Sequence, residues 1–178
     1  MFQTNWKCAG TAVPVFSLRT EDSFGIGDFH DLKKLVDWVA ATGQRVIQLL
    51  PVNDTTMTGT WVDSYPYSAN SIYALHPQFV YLPEAGVRRD SRYKTLKAEL
   101  EALPELDYER VNKEKDRLMR KAFASTWAKV SGSAEYKKFI EENADWLEAY
   151  CAFRILLRKT GTGDSSKWGK YASYSAKK

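Results

Sequence analysis

The chain has 178 residues, of which 44% are hydrophobic and 27% charged, with a net charge of +4. That composition belongs to a soluble globular protein with enough chain for one real core. No stretch approaches the ~20 apolar residues that span a bilayer, and Lys and Arg are spread beside Glu and Asp rather than gathered on one element, which argues against a membrane and a nucleic-acid partner.

The amino terminus, MFQTNWKCAG, lacks the basic and apolar regions of a signal peptide. Cys8 and Cys151 are far apart and in no metal-type spacing, so two free thiols in a reducing, cytoplasmic compartment are expected. Residues 11–18, TAVPVFSL, alternate and are β-rich. They predict a short first strand near Val13–Ser17, with Pro14 at an edge or opening position. Gly25 and Gly27 then permit a tight turn, and Asp28 is placed to cap a helix. A dinucleotide fingerprint would need a third glycine where His30 stands, and there is no Gly-Lys-Ser/Thr, so turn plus cap is the reading rather than a phosphate cradle.

Residues 29–42 predict an amphipathic helix, with Leu32, Leu35, Val36 and Val39 on its apolar side, His30 on its solvated side and Gly43 as its stop. Val46-Ile47-Gln48-Leu49-Leu50 is apolar on both faces and stopped by Pro51. It predicts a buried parallel strand, completing a right-handed βαβ unit. The loop that follows, to Pro77, is crowded with hydroxyls, carboxylates and rings, at the strand end where α/β folds place binding groups. After a short extended piece at 78–83 the chain turns helical. Helices are predicted over 91–103 (Ser91 as cap, Pro104 as end), 107–130 (Val111, Leu118, Ala122, Trp127 and Val130 near one side), 133–142, and 143–159, capped by Asn143 and stopped by Gly161. The Gly/Ser-rich tail predicts a flexible loop or frayed end. Two parallel strands do not make a stable layer, so partner strands are expected outside this chain.

For chemistry, Asp54 and Asp63 lie in the central loop, and Glu21 and Asp22 follow the first strand. A retaining glycosidase needs two carboxylates about 5–5.5 Å apart, but loop Asp residues are also ordinary turn-formers, and that reading is preferred. His76 has no G-x-S-x-G partner and reads as a structural hydrogen-bonder. No metal-ligand cluster and no cofactor motif is present. There remain Trp61, Asp63, Ser64, Tyr65 and Tyr67. Flat rings beside carboxylates and hydroxyls suit a sugar; a loop packed by its own rings fits the same residues.

Three segments carry a resemblance: Ser23–Leu32 (SFGIGDFHDL), Gly43–Thr55 (GQRVIQLLPVNDT) and Asp63–Pro77 (DSYPYSANSIYALHP). Together and in order they resemble the 4-α-glucanotransferases of glycoside hydrolase family 77, and the NDTT…TWVDSYPYS variant is most similar to the long-form members. The resemblance implies the N-terminal portion of a (β/α)8 barrel over residues 1–83, with about two strands, followed by a mainly helical insertion over 84–178. It implies retaining transfer of α-1,4-glucan segments, on maltooligosaccharide or starch- and glycogen-type glucans. The family's catalytic Asp, Glu and second Asp lie on later strands, so no catalytic residue is expected here, the remainder of the catalytic domain is expected downstream, and this chain alone is expected to be inactive. Tyr67 matches the tyrosine that stacks under the sugar at the cleavage point. Asp63 and Ser64 match the polar residues before it, with Tyr65 inserted relative to the short form. Trp61 lies where acceptor-side aromatic contacts occur. A non-catalytic glucan-binding or helical interaction fragment is the alternative.

Overall fold

The computed structural model describes residues 7–173, so the first six residues and the last five of the polar tail lie outside the described residues. Strand β1 (Gly10–Val13) pairs in parallel with β2 (Val46–Leu49), in the register Gly10↔Val46 to Val13↔Leu49. Helix α1 (Phe29–Ala41) crosses between them. β1 begins and ends earlier than the alternation predicts. Pro14 has no N–H to give the ladder, and Val15–Ser17 instead closes a 3-10 turn, with the Leu18 N–H on the Val15 carbonyl. The chain then doubles back so tightly that the Gly27 N–H donates to the Phe16 carbonyl at 3.2 Å. A Cβ on Gly27 would stand 2.1 Å from the Val15 oxygen, so only glycine fits there.

Asp28 caps α1 as the sequence predicts. Its carboxylate accepts the His30 and Asp31 N–H groups, and its own N–H donates to Asp31 Oδ2, a reciprocal capping box. His30 is not simply solvated: its ring is half-buried and stacked on Tyr81, centroids 4.0 Å apart.

The apolar run of β2 predicts a strand buried on both faces. The structure differs. Both strands alternate exposed and half-buried, and Val46 is 38% exposed. A parallel strand is buried by what covers its faces, and among the described residues the sheet has two strands only.

The core lies elsewhere. Phe24 and Ile26 from the glycine turn meet Leu82 and Val87, Tyr93 and Leu100 of α2 (Ser91–Glu101), and Val111, Leu118 and Ala122 of α3 (Tyr108–Ser131). These α3 positions recur at helical spacing, as predicted; beyond Ala122 the helix leaves the core, and Trp127 and Val130 are exposed. Under α1, Lys115 is 1% exposed. Its Nζ donates to the Gln78 carbonyl at 2.5 Å and lies 3.8 Å from Asp28 Oδ2. Burial lowers the Lys115 ammonium to about 8 and raises the Asp28 carboxyl.

Two caps differ from expectation. Asp90, not Ser91, caps α2. α4 (Ala134–Glu142) is capped by Ser133, but Asn143 makes no side-chain cap to α5 (Ala144–Thr160). Its Nδ2 donates back to the Phe139 carbonyl, and its Oδ1 accepts the Trp146 indole N–H. Gly161 ends α5 in the left-handed conformation, φ 72°. Of the two readings of the tail, loop or frayed end, the structure through residue 173 takes the loop. The tail makes two 3-10 turns, and Trp168 donates to the Thr162 carbonyl with its ring 5.8 Å from that of Phe153.

Candidate functional site

The loop leaving β2 is closed at its base by a narrow antiparallel ribbon. Asp54 N–H donates to the Ala74 carbonyl and His76 N–H to the Val52 carbonyl, both at 2.9 Å, around an Asn53–Leu75 bridge. Everything between 54 and 74 projects from that base, and two buried carboxylates organise it.

Asp63 sits in a 3-10 turn (Trp61–Ser64) with its carboxylate turned inward. It accepts the backbone N–H groups of Met57, Thr58 and Gly59 at 2.7–3.1 Å, and the Thr58 hydroxyl at 2.9 Å. A carboxylate takes such a nest because three convergent N–H dipoles have no other acceptor inside the fold. Asp54 is 0% exposed. One oxygen accepts the N–H and hydroxyl of Thr56; the other accepts Tyr150 Oη at 2.6 Å and Arg154 Nη1 at 3.2 Å. The two carboxylates are held by separate sets of donors, and neither is arranged as an acid/base pair.

His76 is buried beneath the loop. Its Nδ1 accepts the Gln78 N–H at 3.1 Å, which leaves the proton on Nε2 to donate to Tyr108 Oη at 2.9 Å. Burial, with Arg154 and Lys115 nearby, pushes the imidazole down to about 4, against the pull of Asp54 and Asp63. It is the structural hydrogen-bonder the sequence suggests. The Tyr108 and Tyr150 hydroxyls are pushed up, chiefly by burial.

On the outer side, the rings are bare. Trp61 is 70% and Tyr67 62% exposed, and Tyr65 and Ser64 are also exposed. The Tyr65 and Tyr67 rings are 5.4 Å apart and tilted by 53°. The Trp61 N–H is held by Glu109 of α3 at 2.9 Å. A loop that packed its own rings would bury them; here the polar groups are inside and the aromatic faces outside. The structure therefore brings Trp61, Ser64 and Tyr67 to one exposed stretch and keeps Asp63 beneath them. Sequence reasoning did not find Tyr108, Trp146, Tyr150 and Arg154 as loop supports. The last three recur every fourth residue, a mixed aromatic and basic stripe, but nothing local says what that stripe meets. Among the described residues no group of His, Cys, Asp and Glu could hold a metal ion, and no helix is long and apolar enough to cross a membrane.

The glycoside hydrolase family 77 model, described as 4-alpha-glucanotransferase, matches residues 13–178. The chain belongs to the 4-alpha-glucanotransferase family. It is 38% identical to 4-alpha-glucanotransferase DPE2 of Oryza sativa subsp. japonica, over 99% of this chain and 19% of that protein. It is 30% identical to the 4-alpha-glucanotransferase of Chlamydia pneumoniae, over 93% of this chain and 32% of that one. It is 28% identical to that of Clostridium butyricum, over 83% of this chain and 29% of that protein. The chain thus spans about a fifth to a third of the length of these 4-alpha-glucanotransferases. The match includes both the ring-bearing loop and the helices that support it.

Proposed function

We propose that this chain forms one wall of the sugar-binding cleft of a 4-α-glucanotransferase, which moves α-1,4-glucan segments from a maltooligosaccharide or a starch- or glycogen-type donor to glucose or another glucan, with retention. The carrying observation is the outward-facing Trp61–Tyr67 stretch on an inwardly satisfied loop, in a chain of this family. Tyr67 lies under the sugar at the cleavage point. Ser64 bonds a sugar hydroxyl, Trp61 meets the acceptor side, and Asp63 shapes the site from below. An aromatic face suits the C–H side of a pyranose because both are flat and apolar there.

β1, α1 and β2 are the opening of a (β/α)8 barrel, and residues 84–178 are a helical insertion with a polar tail. The half-covered two-stranded sheet supports this reading, since barrel strands are covered by neighbours on both faces. The acids that do the chemistry belong to the rest of the catalytic domain, so this chain alone does not transfer. No cofactor is involved, and the enzyme works in the cytoplasm.

Maltotriose incubated with the full-length protein should yield glucose and longer maltooligosaccharides by chromatography, and Tyr67→Ala should lower kcat/KM at least about tenfold with an unchanged melting temperature, a loss of about 1.4 kcal/mol of transition-state stabilisation. No transfer by the full-length protein would sink the proposal. Transfer by this chain alone would overturn the assignment of the acids elsewhere.

A further inference from the structure

The ring-bearing stretch is held from a distance by one face of α5. Trp146, Tyr150 and Arg154 follow each other at intervals of four, so they share a side of the helix. Each meets the loop after β2. Trp146 stacks on Tyr73, ring centroids 5.4 Å apart and 19° from parallel. Tyr150 Oη donates to Asp54 Oδ2, and Arg154 Nη1 donates both to Asp54 Oδ2 and, at 3.0 Å, to the Thr56 carbonyl. Asp54 is wholly shielded from water, so among the described residues its charge is balanced by these donors and by Thr56. A buried carboxylate that loses a partner is costly. The position of α5 therefore helps to fix where Asp54 and Thr56 sit, together with the ribbon at the base of the loop.

From those two residues the constraint reaches Tyr67 from both sides. On the far side, the Asn70 N–H donates to the Asp54 carbonyl at 2.7 Å and its side-chain amide donates to the Thr56 carbonyl at 2.9 Å. On the near side, Met57, Thr58 and Gly59, which follow Thr56 directly, grip the Asp63 carboxylate. The span between Asp63 and Asn70, with Tyr67 inside it, is thus pinned at both ends to a segment that α5 holds.

We propose that α5 is a brace that sets the height and tilt of the Tyr67 platform, with Tyr150 and Arg154 as positioning residues. Its consequence for glucan transfer rests on the function proposed above; its consequence for the loop does not. A brace of this kind acts on substrate binding without touching substrate. The site is then specified by a helix about a hundred residues downstream of the loop, and substitutions along the 146–150–154 stripe tune how tightly a glucan is held.

The test uses Tyr150→Phe, which removes one oxygen, Arg154→Met, and Arg154→Lys as the conservative variant. Amide hydrogen exchange in the full-length protein is the first readout. Tyr150→Phe and Arg154→Met should speed exchange at Met57, Thr58 and Gly59 about tenfold, while amides within α1 and α2 keep wild-type rates; tenfold corresponds to about 1.4 kcal/mol of local opening. Wild-type exchange at 57–59 in both variants overturns the brace. The second readout is kinetic, in the full-length protein. Both variants should raise KM for maltotriose about tenfold with kcat within about threefold of wild type, and Arg154→Lys should recover most of the loss. A merely structural contact would lower the melting temperature and leave KM of the folded enzyme unchanged, and that result overturns the positioning role even where exchange responds. If the wild-type full-length protein transfers no glucan, the proposed function falls, and exchange at 57–59 still decides for or against the brace.

Discussion

Raising the pH above 8 should stabilise this protein, and the gain should be absent in Lys115→Met. Lys115 is shut away under α1, with Asp28 and Asp31 the nearest carboxylates. Desolvation outweighs their attraction and brings the ammonium from 10.5 down to about 8. In the unfolded chain the same group keeps its ordinary value. Between the two values the unfolded chain carries a proton that the folded chain has released. Unfolding then takes up a proton, and it becomes harder as protons become scarcer. Each unit of pH well above 8 is worth up to about 1.4 kcal/mol, and because the amine is half deprotonated at 8, moving from 8 to 9.5 should add about 1.5 kcal/mol. The bond to the Gln78 carbonyl survives the change, because a neutral amine still donates. The window closes near pH 10: the Tyr93, Tyr108 and Tyr150 hydroxyls are raised in the fold, Tyr93 to about 12. Above 10 the unfolded chain ionises them first, and stability falls. Urea unfolding of wild type and Lys115→Met at pH 7, 8, 9 and 9.5 measures the effect. Wild type should climb relative to the variant from pH 8 onward. A wild-type curve parallel to that of Lys115→Met would show that the buried amine does not titrate there, and the reasoning would be wrong.

Acid should act through His76. Its imidazole is held near 4 in the fold but takes its proton near 6.5 when unfolded, so stability should be lost as pH falls from 6.5 towards 4, and His76→Gln should flatten that part of the urea-midpoint profile. Asp63→Asn keeps the shape of the side chain but makes its contacts to three N–H groups neutral. About 2 kcal/mol of stability should go, read by urea unfolding, and a change under about 0.5 kcal/mol would remove Asp63 as organiser of the loop. Gly27→Ala drives a methyl group into the Val15 and Leu18 carbonyls, so a loss of about 3 kcal/mol or more is expected from thermal unfolding, and a variant as stable as wild type would refute the close approach.

Local chemistry was legible in the sequence and remote covering was not. Asp28 as a cap, Gly43 and Gly161 as stops, and the Val111–Leu118–Ala122 side of α3 follow from hydrogen bonding and periodicity within a few residues, and each stands where it was expected. The Val46–Leu50 run reads as buried because it is apolar, yet apolarity says what a strand tolerates and not what lies against it. Pro14 illustrates the same boundary: its missing N–H marks a strand limit, but only the fold shows that the strand lies before it. The Gly and Ser content of the tail predicts a loop or a frayed end without choosing between them, because the Trp168–Phe153 contact that holds it depends on α5. At the site, Trp61, Ser64 and Tyr67 were legible as an aromatic and hydroxyl stretch. Asp63 is legible as a polar residue of the loop but not as an inward one, because its partners are backbone N–H groups that any residues would supply.

Where this chain keeps its charges narrows the role it can play. Asp28 and Asp31 are tied to the start of α1 and to Lys115, Asp54 to Tyr150 and Arg154, and Asp63 to a nest of N–H groups. Each is buried, and each is engaged by donors of the protein itself. A carboxylate that serves as nucleophile or proton donor must meet the reacting bond, and these four face the interior while the rings face out. The carboxylates, which resist removal from water, are buried to make a loop rigid, and the Trp and Tyr faces, which lose by exposure, are presented at its surface. A binding wall needs that allocation, which supports reading Asp54 and Asp63 as organisers of the loop rather than as an acid/base pair.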